Sequence, residues 1–340
     1  MQNVKMNRVP AISLSRILGM TFIILCHIVG YYTFIPMYHS LGQFFNCGVV
    51  LFLFISGYLY GGKTIRNFKQ WYVKRILTIS LPSVLISIAV IIVLSVIGTP
   101  TSINSIIAYC LDLEGLLFLS WKAFSGFFSE IPGLGPLWFT TIIMICYLLI
   151  PVLQIISEKF SITSGHLIML FIIGAGISIA VSPYCSITNF LFFILGYFSK
   201  KTNLLERMDQ KFFILHSVVF VAAVIGRLVL QKTIDGTFVY LSYSTISHFF
   251  VGTWFVSLFS YLYNIHPTAI SAIADARVVK TLDKYSFYVY LTHGIFCSGT
   301  FNLFKKLPLT PATILFFICT ISTALILKYI SDFIRGLIPA

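Results

Sequence analysis

An arginine and a histidine eleven residues apart, Arg16 and His27, fall in the first long apolar run of the chain. On a helix this spacing is about three turns, roughly 16 Å of rise, and puts both side chains on one face. Ionisable groups are costly in hydrocarbon, so those kept there are usually tied to function. Imidazole is also the side chain that exchanges a proton most readily near neutral pH. The pair therefore points to proton-transfer chemistry inside a membrane, with Arg16 expected near the inner surface and His27 near the middle. The plainer alternative is packing for His27, hydrogen-bonded across helices, and snorkelling for Arg16.

A second histidine, His293, ends the run Ser286-Phe287-Tyr288-Val289-Tyr290-Leu291-Thr292-His293, where it can work with His27 or line a pocket. The other five histidines lie at run ends or, like His248, have no recognisable partner. Lys63, Arg66, Lys69, Lys74 and Arg75 crowd one short connection with no acid among them. Such a cluster sets orientation and attracts anionic lipid, or it holds a phosphate-rich ligand. Ser56, in Gly48 to Leu59, has neither a glycine elbow nor an acid nearby, so small-residue helix packing is its better reading. The seven cysteines show no metal-ligand or disulfide spacing and read as small buried hydrophobes, with no metal site expected.

These residues need helices to position them. The 340 residues are 58% hydrophobic and only 10% charged, against about a quarter charged in soluble domains. The expected fold is an all-α integral membrane protein, a single polytopic domain over residues 1–340. Ten apolar spans are expected, near 12–34, 42–61, 76–97, 137–156, 166–182, 186–199, 212–231, 240–263, 285–304 and 311–334. The fifth and sixth are joined by Ser182-Pro183-Tyr184. With both termini cytoplasmic, eighteen Lys and Arg fall inside and five outside, the bias of the positive-inside rule. The longest outer connection, 98–136, is apolar from Leu116 to Phe128, enough to lie in the interface or dip inward. All ten acids lie in connections or at span ends, so no carboxylate is expected deep in the membrane. A nucleic-acid partner is excluded, because no polar domain carries the net charge of +13.

Several stretches, in order, resemble the membrane-bound acyltransferase family 3. Arg16 with His27 resembles its first-helix motif, and Gly48 to Leu59 its second helix. Arg75-Ile76 followed by Pro82 resembles the start of its third helix, although the family has more arginine and an earlier proline there. Leu137-Trp138-Phe139 with Tyr147 and Pro151 resembles a further helix, and Ser286 to His293 resembles Ser-Tyr-x-x-Tyr-Leu-x-His, with Phe287 as the aromatic. The resemblance implies an O-acyltransferase of the stand-alone type, without an appended esterase-like domain, in the cytoplasmic membrane of a bacterium. It implies an acyl-CoA donor, acetyl-CoA favoured, and a carbohydrate or lipid-linked sugar as acceptor, with polysaccharide-assembly proteins as potential partners.

On that reading Arg16, Lys74 and Arg75, with Arg66 and Lys69, hold the donor phosphates. The Arg16–His27 offset is comparable to a pantetheine arm. His27 is then general base or first acyl carrier. Ser56, Trp138, Tyr290 and His293 are the expected substrate contacts. The rival reading is a transporter or flippase for a lipid-linked glycan, disfavoured by the missing membrane acids and by the absence of an inverted repeat.

Overall fold

A computed structural model describes residues 9–32, 35–119, 127–181 and 187–338. Lys5, Arg8, Lys122, the Ser182-Pro183-Tyr184 turn and most of the Leu116 to Phe128 stretch lie outside the described residues. No strand occurs among the described residues. In chain order the helices are α1 (Pro10–Gly30), α2 (Pro36–Phe45), α3 (Cys47–Gly61), α4 (Phe68–Arg75), α5 (Leu81–Val96), α6 (Ile103–Cys110), α7 (Leu116–Leu119), α8 (Trp138–Leu148), α9 (Ile150–Lys159), α10 (Ser164–Val181), α11 (Ile187–Lys201), α12 (Gln210–Ile234), α13 (Phe238–Ile265), α14 (Pro267–Asp275), α15 (Arg277–Cys297), α16 (Leu303–Lys306) and α17 (Leu309–Leu337).

Each expected span is mostly helical, and among the described residues seven stretches are long and apolar enough to cross a membrane: Pro10–Gly30, Pro36–Gly61, Phe68–Val96, Gly135–Lys159, Gln210–Ile234, Phe238–Ile265 and Leu309–Leu337. The chain is a multi-pass membrane protein. Of the other three expected spans, α10 is an apolar helix over Ser164–Ile177, α11 has 15 residues, and α15 carries Arg277, Lys280, Asp283 and Lys284 in its first turns. Helix starts follow local chemistry. Prolines 10, 36, 82, 151 and 267 occupy first-turn positions, where a missing N–H costs nothing. Asn67, Ser102, Asp209 and Thr237 cap α4, α6, α12 and α13 through side-chain oxygens. Pro82 cannot donate to the residue-78 carbonyl, and its ring crowds that group. The five residues before α5, Ile76–Ser80, widen into a π turn, a form that often marks functional sites.

The spine of the bundle is α3 against α11. A Cβ on Gly57 would sit 1.9 Å from the Phe193 carbonyl oxygen, one on Gly61 2.1 Å from that of Tyr197, and one on Gly196 2.0 Å from that of Phe54. The two backbones touch, the small-residue packing expected between membrane helices. On its other side α3 meets α1, where a Cβ on Gly48 would lie 2.6 Å from the Gly19 carbonyl oxygen. Gly57→Val should therefore force the two helices apart at a cost of about 1–3 kcal/mol. The check is a lowered thermal unfolding midpoint in detergent, and an unchanged midpoint would refute the close approach.

The outer connection re-enters the bundle. α6 runs back along α5, and the chain turns at Asp112, which adopts φ +56°. Thr140 Oγ1 lies 2.5 Å from Asp112 Oδ1, 3.4 Å from Glu114 Oε1 and 3.2 Å from Ser83 Oγ. Ser83 is near the midpoint of the Phe68–Val96 helix. The expectation that no carboxylate lies deep in the bundle is thus corrected: Asp112 and Glu114 are 7% and 1% exposed. Their positions in a connection are as read, but the connection folds inward.

Candidate active site

α1, α3, the π turn, α8 and α15 surround a cavity of about 510 Å³ that opens at the Lys/Arg-rich end of the bundle. Its mouth carries four cations, Arg16, Arg75, Lys280 and Lys284, and one acid, Asp283. Asp283 lies one helical turn before Phe287, and Lys280 one turn before Lys284, so α15 presents a charged rim leading to an aromatic face. Arg16 Nε and Nη2 both donate to Asp283 Oδ1, at 2.7 and 2.6 Å. Arg75 stacks its guanidinium 5.9 Å from the Trp71 ring centroid. Its Nε is buried with no hydrogen-bond partner among the described residues, a donor aimed at nothing in the protein itself. Lys63 packs over Tyr60 at 4.7 Å, and burial together with Arg75 holds its pKa below the usual lysine value.

Deeper in, the lining becomes aromatic. Phe52, Phe139, Tyr147, Phe287 and Tyr290 face the cavity, with Ser56 and Ile23 between them. Phe139 meets Phe52 at 6.1 Å and Tyr290 at 5.6 Å, both edge-on. The Tyr290 hydroxyl donates to the Pro136 carbonyl and so ties α15 to the start of α8.

One helical turn past this floor are the two histidines. His27 follows Ile23 on α1 by four residues, and His293 follows Tyr290 on α15 by three. Their rings are 5.1 Å apart, centroid to centroid. His293 is fully buried; its Nδ1 bonds the Tyr290 carbonyl, and its Nε2 has no partner among the described residues. Because a carbonyl only accepts, Nδ1 carries the hydrogen and Nε2 a lone pair. His27 is half-buried and sits in the last turn of α1, because that helix ends at Gly30 rather than near residue 34. It therefore lies toward the far end of the helix and not at its middle. Neither imidazole lines the cavity, whereas Tyr290, whose ring lies 5.6 Å from that of His293, does.

A family model described as an acyltransferase domain matches residues 9–331. The chain belongs to the acyltransferase 3 family. The match takes in the helices that build the cavity and both histidines. No curated protein and no solved structure matches.

In this acyltransferase the residues singled out from the sequence divide into three groups. Arg16, Arg75, Ser56 and Tyr290 line the cavity. His27 and His293 pair with one another beyond it. Arg66, Lys69 and Lys74 are exposed and do not line it, and Trp138 packs beside Phe139 at 6.4 Å without facing it. The charged rim of α15 was not anticipated, although its signal was present: residues 280, 283, 287 and 290 continue one helical face upstream of the Ser286 motif. Other histidines have structural partners. His248 Nε2 is 2.7 Å from the Gln43 carbonyl, His216 Nδ1 is 2.8 Å from Ser257 Oγ, and His39 pairs with Asp235 at 3.3 Å.

Proposed function

We propose that this acyltransferase moves an acetyl group from coenzyme A, entering at the cytoplasmic face, to a hydroxyl of a cell-surface or lipid-linked carbohydrate. The observation that carries the reading is the His27–His293 pair, one turn beyond the floor of a cation-rimmed cavity. Arg16 and Lys280 are paired with Asp283 and Asp275, and the further cations Arg75 and Lys284 leave an excess of positive charge that suits a donor bearing several phosphates. Arg75, with its unsatisfied Nε, is the strongest single phosphate contact. The acyl end of such a donor would travel along the aromatic walls to Phe139 and Tyr290, which must part to admit the thioester.

His27 then serves as general base. The His293 Nε2 lone pair can accept one ring N–H of His27 and leave the other nitrogen to take the acceptor hydroxyl proton. The acceptor oxygen attacks the thioester carbonyl, an O–C bond forms and the C–S bond breaks. The electron pair leaves with sulfur, which recovers the proton from the imidazolium. Aromatic side chains continue beyond His27: Tyr31 is one turn further and packs on Tyr32 at 5.0 Å, and Tyr32 meets Tyr38 at 5.7 Å. This partly exposed wall favours a sugar-like acceptor arriving from the opposite side. The transporter reading lost one of its counter-arguments with the buried Asp112 and Glu114, but family membership decides for chemistry.

The test is thiol release and label transfer by purified protein given labelled acetyl-CoA. Arg75→Gln should raise the donor KM about 10–100-fold with little change in kcat, as expected for loss of a charge-assisted phosphate contact. An unchanged donor KM would remove Arg75 from the site. No thiol release from any acyl-CoA by stably folded wild-type protein would overturn the donor assignment.

A further inference from the structure

We propose that the acceptor is an acidic polysaccharide, a sugar chain bearing several carboxylate or phosphate groups. It crosses the end of the bundle opposite the donor mouth, from a polar cavity between α2 and α12 to Lys305 and Lys306. This rests on the carbohydrate reading of the acceptor and adds its charge and its path.

Both imidazoles lie near that end. His27 is three residues from the end of α1 and His293 four from the end of α15, about 6 Å of helical rise or less. α2 folds back beside α1, where a Cβ on Gly42 would sit 3.4 Å from Val29 Cγ2. The tyrosine wall past His27 continues in two directions: Tyr32 meets Tyr38 of α2 at 5.7 Å and Phe304 of α16 at 6.5 Å.

Next to Tyr38 begins a cavity of about 660 Å³, lined by His39, Ser40, Gln231, Lys232 and Asp235. Hydroxyl, amide and imidazole groups together offer hydrogen bonds to sugar hydroxyls. Asp235 is already engaged: Oδ1 accepts the Gly236 N–H at 2.9 Å, and Oδ2 lies 3.3 Å from His39 Nε2. Lys232 makes no ion pair among the described residues. Nor does Arg227, 2% exposed beneath the lining, whose Nη1 reaches the Ser40 carbonyl at 3.4 Å. The cavity therefore carries surplus positive charge. Beyond Phe304, in the other direction, stand Lys305 and Lys306, both exposed. Their turn is fixed by Asn302 Oδ1, which accepts the N–H groups of Phe304 and Lys305 at 2.9 and 3.2 Å.

Among the described residues, Lys232, Lys305 and Lys306 are the exposed Lys and Arg of this end. Lysine there opposes the positive-inside bias, yet all three flank one tyrosine wall. Tyrosine offers an apolar face and a polar edge to a sugar ring. Lysines at both ends of the wall favour a ligand charged at more than one residue over a neutral glycan. An anionic lipid would meet the lysines but not the wall. α1, which leads into Tyr31 and Tyr32, is packed against α2, α3, α13, α14 and α15, so its end is enclosed by helices rather than by acyl chains.

The test is oligosaccharide binding by the full-length protein in phosphatidylcholine nanodiscs, with no donor present. Hexagalacturonate should bind at least about tenfold more tightly than its fully methyl-esterified form, which keeps the rings and loses the charge, and high salt should close the gap. A glycerol phosphate oligomer run alongside separates the two anions: the tighter ligand names the group. Lys232→Gln and Lys305→Gln/Lys306→Gln should each weaken the charged ligand several-fold. Combined, they should erase its advantage with the unfolding midpoint kept. If neither charged oligomer outbinds the neutral hexamer, the charge assignment is overturned while a carbohydrate acceptor stands. A preference that survives the triple variant would also overturn it. Loss confined to one lysine group would overturn the path across the wall. Lysine-dependent retention of phosphatidylglycerol, with neither oligomer bound, would assign these lysines to lipid instead. Binding is read without acetyl transfer, so a failed donor assignment leaves the result standing.

Discussion

Replacing His27 with alanine is expected to lower acetyl transfer by about 10²–10⁴-fold, the usual range for losing a positioned general base. Donor affinity should change only a few-fold, because on the proposed reading the phosphates bind near the mouth, about three helical turns away on α1. The geometry makes the expectation specific. His27 is half-buried beside His293, whose Nε2 has no hydrogen-bond partner among the described residues. His293→Ala should therefore show a smaller loss in kcat with donor KM retained, as a positioning residue does. Rapid acid quench with labelled donor separates the two roles open to His27. Label recovered on the imidazole would make it a carrier and retire the general-base step. Normal turnover by folded His27→Ala protein would end the mechanism altogether.

The second large effect is expected at Arg16. Arg16→Ala removes the guanidinium that Asp283 accepts from at 2.6 and 2.7 Å and leaves a carboxylate side chain, 9% exposed, at the rim of the cavity proposed to take the donor. Both changes oppose donor binding, so donor KM should rise at least about tenfold, and the unfolding midpoint should fall. Arg16→Ala/Asp283→Asn should recover the midpoint, because the carboxylate charge is gone. It should recover donor KM only in part, because the phosphate donor is still missing. Full recovery of both quantities in the double variant would show that Arg16 only neutralises Asp283 and never meets the donor.

Much of the architecture was legible because apolar runs of sufficient length have few other fates. α1, α3, α8 and α15 sit where their motifs placed them, and the resemblance carried by those motifs agrees with the family match over residues 9–331. What escaped was depth and direction. Asp112 and Glu114 stand in a stretch with turn residues and charges, which reads as an exposed connection; only the packing of α6 on α5 shows that it turns inward. The basic cluster at 63–75 could be counted but not aimed. Helix α4 turns Arg75 into the cavity and leaves Arg66, Lys69 and Lys74 outside, a distinction of side-chain direction that charge density does not contain. The α15 rim was hidden because its charges made the first turns look like loop. His27 shifted toward the end of its helix because α1 stops at Gly30, a few residues before the apolar run does.

The inward-folded acids have a consequence for how the protein is made. Asp112 and Glu114 both reach Thr140 Oγ1, at 2.5 and 3.4 Å, and neither makes an ion pair with lysine or arginine among the described residues. Neither could be laid into bare hydrocarbon cheaply during insertion, since the hydroxyls that receive them come from Ser83, made earlier, and Thr140, made later. These acids can therefore settle only once both α5 and the helix carrying Thr140 are in place, and a chain halted after α5 would leave them without that hydroxyl.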